Sequence, residues 1–234
     1  MKSDQPDIAS TIAALVRDAT PVAPLDLPSV RVTRWALVSA AAAVLAVAWL
    51  GARPDLALQL GRPWFAARAA LTLATAMTAA VVAVRMSVPG LARAHGLRAV
   101  PWALCLGWGA LLVGALAATG TPLRLLRDAS PHLSCCICIT ATGLVPGVWL
   151  VCSLRQAAPL DARWTGGCAG LAGAAAGALA TQFVCGSDAP AHHLLWHLLP
   201  VAVLALAQLA VAPLLFSHPD IRRRPEDIAA GVRP

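Results

Sequence analysis

The stretch from Trp35 to Ala52, WALVSAAAAVLAVAWLGA, carries no charge and lies between Arg34 and Arg53. A helix needs about 20 mostly apolar residues to cross a hydrocarbon layer about 30 Å thick. Five more uncharged runs follow. They lie between Arg68 and Arg85, and over Ala99–Leu123, Ala129–Leu154, Trp164–Ser187 and Ala189–Pro219. Each holds one spanning helix, and none is long enough for two with a turn between them. In lipid, backbone polar groups must be satisfied internally, so only helices or closed barrels span. A barrel would show short alternating segments instead of long apolar runs. The expected fold is therefore all-α, a polytopic membrane helix bundle with about six transmembrane helices.

Composition agrees. Of 234 residues, 59% are hydrophobic and 12% charged, about half the ~25% charged share of soluble domains. The formal charge of +7 comes from arginines placed between apolar runs, not gathered on one face. It reads as topology, and no direct nucleic-acid partner is expected. The N-terminus, the second and fourth loops and the C-terminus together hold thirteen Lys and Arg residues, against five on the other side. That bias predicts both termini in the cytoplasm. No short apolar core precedes a cleavage site in the first 34 residues, so the first apolar run is expected to be retained. The expected organisation is a cytoplasmic segment and tether over 1–33, a six-helix membrane domain over 34–216, and a basic cytoplasmic tail over 217–234.

Within the first segment, Ile8, Ile12, Leu15 and Val16 follow helical apolar spacing, with Lys2, Asp4, Asp7 and Arg17 around them. Pro21, Pro24 and Pro28 are expected to end that helix and stiffen the tether. A dozen residues cannot form a core, so the helix must dock on the membrane surface, on the bundle or on a cytoplasmic protein. In the fifth run, Gly166 and Gly170, and Gly173 and Gly177, are four apart and let helix backbones approach closely. Pro146 and Pro200 predict kinks, and Gln182 and Gln208 predict paired amides between helices.

Seven cysteines are the chemical feature of the chain. Cys135, Cys136 and Cys138 open the fourth run and Cys185 closes the fifth. His132, His192, His193 and His197 are expected at the same depth, on the outer side. Thiols and imidazoles converging there fit a disulfide or a soft metal site for zinc, cadmium or copper, with no cofactor required. Cys105, Cys152 and Cys168 read as packing residues, and His95 and His218 as loop residues. Cys135 and Cys138 form a C-x-x-C pair that is incomplete as a zinc site. No acidic or basic residue lies mid-run, as ion and proton carriers would require. No phosphate loop, H-E-x-x-H or G-x-S-x-G occurs. An enzyme is therefore not expected. The competing readings are a membrane thiol oxidoreductase that passes electrons to quinone and, with less support, a small-solute or metal transporter.

The chain resembles the NrsF family of multi-pass anti-sigma factors. The resemblance rests on IAALVRDATPV (Ile12–Val22), RPDL (Arg53–Leu56), SVPG (Ser87–Gly90), a cysteine ten residues before a proline (Cys136 and Pro146), APL (Ala158–Leu160), Cys185, and LWHL (Leu195–Leu198). Order and spacing carry it over nearly the whole chain. It implies a protein that holds an extracytoplasmic-function sigma factor at the bacterial inner membrane, through the N-terminal segment and its Ile8, Ile12, Leu15 and Val16. It further implies that two outer cysteines sense metal or oxidant. Cys136 and Cys185 are the expected pair, with Cys135 and Cys138 as further thiols and His132 and His192 as supporting ligands. The neighbouring Cys135 and Cys138, and a longer and more basic tail, depart from the family pattern.

Overall fold

Prolines and glycines set most helix ends. A computed structural model describes residues 8–18, 24–88, 95–119, 133–157 and 159–217, and every regular element among them is helical. Helix α1 spans Ile8–Asp18 and α2 spans Pro28–Leu50. Pro28 starts α2, where a missing N–H costs nothing and φ is already helical. Gly51 ends it with φ 85°, its N–H donating to the Val47 carbonyl at 2.9 Å. A residue with a Cβ is strained at that φ. A short α3 (Leu56–Leu60) leads to α4 (Pro63–Met86), again opened by proline. A 3₁₀ turn (His95–Ala99) runs into α5 (Val100–Ala118). Then come α6 (Leu133–Arg155) and α7 (Ala162–Gln182), the latter capped by the Asp161 side chain, which accepts from the Trp164 N–H at 3.3 Å. The last rod is continuous: α8 (Pro190–His193), a π turn (Leu194–Leu198) and α9 (Leu199–Leu215).

Among the described residues, five rods are long and apolar enough to cross a membrane: Pro28–Leu50, Pro63–Met86, Gly96–Ala118, Leu133–Arg155 and Pro190–Leu215. Helix α7 is not among them, and its place explains why. It runs through the middle of the bundle, packed on α9, α6, α4 and α2, with nearly every residue from Thr165 to Gln182 buried. A helix surrounded by protein needs small residues for close approach more than it needs lipid-soluble ones. Gly166 and Gly170 lie against Ala212 and Gln208 of α9, while Gly173 and Gly177 lie against Gly143, Gly147 and Ile139 of α6. The glycine pairs thus serve packing within one chain.

Several residues differ from the sequence reading. Pro28 begins α2 instead of ending the tether, so Arg31 sits inside the helix and is buried. Its guanidinium donates to Ser153 Oγ at 3.0 Å, to the Ser153 carbonyl, and to Ser87 Oγ at 3.2 Å. These bonds tie the start of α2 to the ends of α6 and α4. Arg68, which bounds the second uncharged run in the sequence, has a side chain 0% exposed. Gln182 donates to Thr72 Oγ1 at 2.9 Å and does not pair with Gln208. Pro146 lies within α6 as expected. Pro200 follows the π turn, where its missing N–H interrupts the helical ladder. The tail from residue 218 and His132 lie outside the described residues.

A buried thiol and imidazole cluster

Cys135 stands in the first turn of α6, and Cys185 follows the end of α7. Because these helices are antiparallel neighbours, the two thiols reach one level. His192 and His197 enter from α8 and the π turn, five residues apart. A π turn closes i to i+5 bonds, which places residues at that spacing on one side of the helix. The four ligand atoms lie within 4.8 Å of one another. Cys135 Sγ is 3.7 Å from Cys185 Sγ. His192 Nε2 is 3.6 Å from Cys135 Sγ and 3.3 Å from Cys185 Sγ. Cys135, His192 and His197 are buried, and Cys185 is partly so. His197 stacks against His193 at 4.3 Å, and neither ring nitrogen of His197 finds a hydrogen-bond partner among the described residues.

The sulfur–sulfur separation and the two sulfur–His192 separations fit a tetrahedral ion. Two sulfurs about 2.3 Å from zinc stand about 3.8 Å apart, and a sulfur and a nitrogen about 3.5 Å apart. Two thiols and two imidazoles form an S₂N₂ donor set suited to zinc and softer ions. The orphaned nitrogens of a buried His197 fit the same reading, since buried polar atoms without partners are rare.

Of the residues expected here, Cys135, Cys185 and His192 come together, and His197 completes them. Cys136 does not pair with Cys185. It is one residue, about 100° of helix, away from Cys135, and it lies 3.9 Å from the Trp196 carbonyl. Cys138 is one turn farther along and 3.3 Å from Thr181 Oγ1. His193 donates from Nε2 to the Ser187 carbonyl, 2.9 Å away, and joins the ring stack beside the cluster.

A charged frame beside the cluster escaped the sequence reading, which took Arg53 and Arg68 as topology markers. The Arg53 guanidinium grips Asp188 at 2.7 and 3.1 Å and Asp55 at 2.7 and 3.0 Å. Arg68 donates to Asp188 at 2.9 Å, and Gln59 to Asp55 at 2.8 Å. The Arg53 N–H adds a 2.9 Å bond to the Phe183 carbonyl. The Asp55 carboxyl is held far below its ordinary pKa, first by Arg53 and then by Gln59. For Asp188, partial burial opposes ionisation, but the bonds and charges of Arg53 and Arg68 outweigh it and lower the pKa. The frame locks the loop of residues 183–189, and so Cys185, against the loop before α4. The signal was present as RPDL, whose Arg53 and Asp55 are two of its members.

The family model described as negative regulator of sigma F, NrsF, matches residues 15–217, and the chain belongs to that family. No curated protein and no solved structure matches it.

Proposed function

We propose that this NrsF chain is an inner-membrane anti-sigma factor that crosses the bilayer six times with both termini in the cytoplasm. In this reading it sequesters an extracytoplasmic-function sigma factor through its N-terminal segment. Helix α1 exposes Ile8, Ile12 and Val16, 74%, 55% and 70% accessible, in one row. The side chain of Leu15 lies outside the described residues. Such a row, anchored at i, i+4 and i+8, suits a groove on a protein partner. Two acidic residues in the preceding sequence, Asp4 and Asp7, fit a lipid surface less well.

The observation that carries the sensing half is the buried Cys135, Cys185, His192 and His197 quartet. Binding of zinc, cadmium or copper, or oxidation of the two thiols, draws the start of α6 and the end of α7 together. Arg31 ties the start of α2 to the far end of α6, so α6 is a rigid element running from the thiols to the tether. Movement along it loosens the hold on the partner. The test is capture of the full-length protein from native membranes with and without cadmium. The expected result is a sigma factor held in its absence and released in its presence. A captured fraction free of sigma factor under both conditions overturns the reading.

A further inference from the structure

Beside the thiols lies a cleft of about 1100 Å³ between the last turns of α2 and the first turns of α6, floored by the end of α7. Both flanking helices are candidate spans, so the cleft opens sideways toward the hydrocarbon layer. Its walls are apolar, with Leu45, Ile137 and Val145 among them, and Trp49 stands at its edge, 88% exposed. Among the described residues that line it, none is charged. At the closed end are the thiols of Cys135, Cys138 and Cys185 and the hydroxyls of Ser134 and Ser187.

We propose that this cleft admits a lipid-dissolved quinone from the bilayer, which oxidises the Cys135–Cys185 pair to a disulfide. The inference rests on the reading of that pair as the sensor and names its oxidant. An uncharged cleft selects an uncharged ligand, because a charge moved there loses its hydration without a partner. A ligand arriving through lipid must be apolar, and one that acts on thiols must be electrophilic or oxidising. A quinone ring meets both conditions, the indole of Trp49 offers it a stacking face, and the cleft has room for the ring and part of an isoprenoid tail.

The chemistry balances within the pair. The Cys185 thiol gives up its proton and its sulfur adds to a ring carbon, forming a C–S bond, and the displaced electron pair goes to a ring oxygen, which takes that proton. Cys135 then attacks the Cys185 sulfur. The S–S bond forms, the C–S bond breaks, and its electron pair returns to the ring. The proton of Cys135 goes to the second oxygen. Two thiols and one quinone become one disulfide and one hydroquinone. The Sγ separation of 3.7 Å closes to about 2.05 Å in the product.

The experiment uses the full-length, reduced protein in phosphatidylcholine nanodiscs, without oxygen and with a metal chelator. Decylubiquinone is one oxidant and hydrogen peroxide the comparison. Quinone absorbance and alkylation of free thiols are the readouts. The expected result is one quinone reduced for each pair of thiols lost. Ala46→Trp, which fills the cleft without touching the thiols, should slow the quinone reaction roughly a hundredfold, as misplaced reactants do, and leave the peroxide rate unchanged. Equal quinone rates in both proteins overturn the inference. So does a pair that peroxide closes and quinone does not, and the sensor reading then survives. A pair that neither oxidant closes removes the inference together with the oxidant half of the sensor reading, and leaves the metal half, which the cadmium test decides. An azido-quinone photolabel gives a measurement on the unaltered chain. Labelling within residues 42–50 and 137–145 supports the cleft, and labelling confined elsewhere overturns it.

Discussion

Arg53 and Asp188, 135 residues apart, meet in a two-point ion pair at 2.7 and 3.1 Å, and Arg68 joins the same carboxylate at 2.9 Å. Both arginine side chains are at most 1% exposed. Removing the shared carboxylate leaves Arg53 with Asp55 and leaves the buried Arg68 without its counter-charge. Asp188→Asn should therefore lower stability by about 3–5 kcal/mol, read as a lowered unfolding midpoint in nanodiscs. An unchanged midpoint would mean that water already compensates Arg68.

The same carboxylate sets a pH dependence. The folded-state pKa of Asp188 lies below its ordinary value, so its contribution is complete above the unfolded value of about 3.9. It is lost as pH falls through the depressed folded value. Asp55 acts in the same direction. The unfolding midpoint should hold from neutral pH down to about pH 4 and drop below it. The drop should shrink in Asp188→Asn. A midpoint that falls already between pH 7 and 5 would point to other groups.

Cys135 and Cys136 are adjacent in the sequence and face different neighbours. Cys135→Ser should lower cadmium affinity more than the 10- to 100-fold that changes outside the ligand set typically cost, measured by chelator competition. Cys136→Ser, beside the Trp196 carbonyl, should leave it nearly unchanged. The opposite ranking would give the sensing role to Cys136.

Gly143 faces α7 so closely that an added Cβ would stand 2.5 Å from the Gly173 carbonyl oxygen. That contact is with backbone, so α6 and α7 must part. Gly143→Ala should cost about 1–3 kcal/mol by overpacking, and it should weaken metal binding, because α6 carries Cys135 and the end of α7 leads directly into Cys185. Retained affinity in a destabilised variant would show that the cluster is held by its own loops instead.

Ile12 is 55% exposed, so an acid there costs the free protein little and costs a bound partner a desolvated, unpaired charge. Ile12→Asp should abolish sigma-factor capture at a normal membrane level, and the regulon should be on without stress. Full repression by a correctly inserted variant would move the contact off this row.

Much of the architecture is written locally. Uncharged runs bounded by charged residues mark the rods, because lipid demands apolar surface and internal hydrogen bonding wherever a helix crosses it. Proline and glycine mark the ends, since their effect on φ needs no neighbour. The level of the cysteines and histidines also follows from one dimension, because position along a spanning helix is depth. Rotation about the helix axis is another matter. Whether Cys135 or Cys136 meets Cys185 depends on about 100° of turn, and the glycine contacts between α6 and α7 decide it. His197 joins His192 only because the chain before Pro200 winds as a π turn. Arg68 reads as a boundary charge until Asp188, 120 residues away, is folded against it. An ion pair of that kind is paid for by desolvation and exists only where packing brings both charges to the same buried place. Local sequence can report the charges but not the meeting.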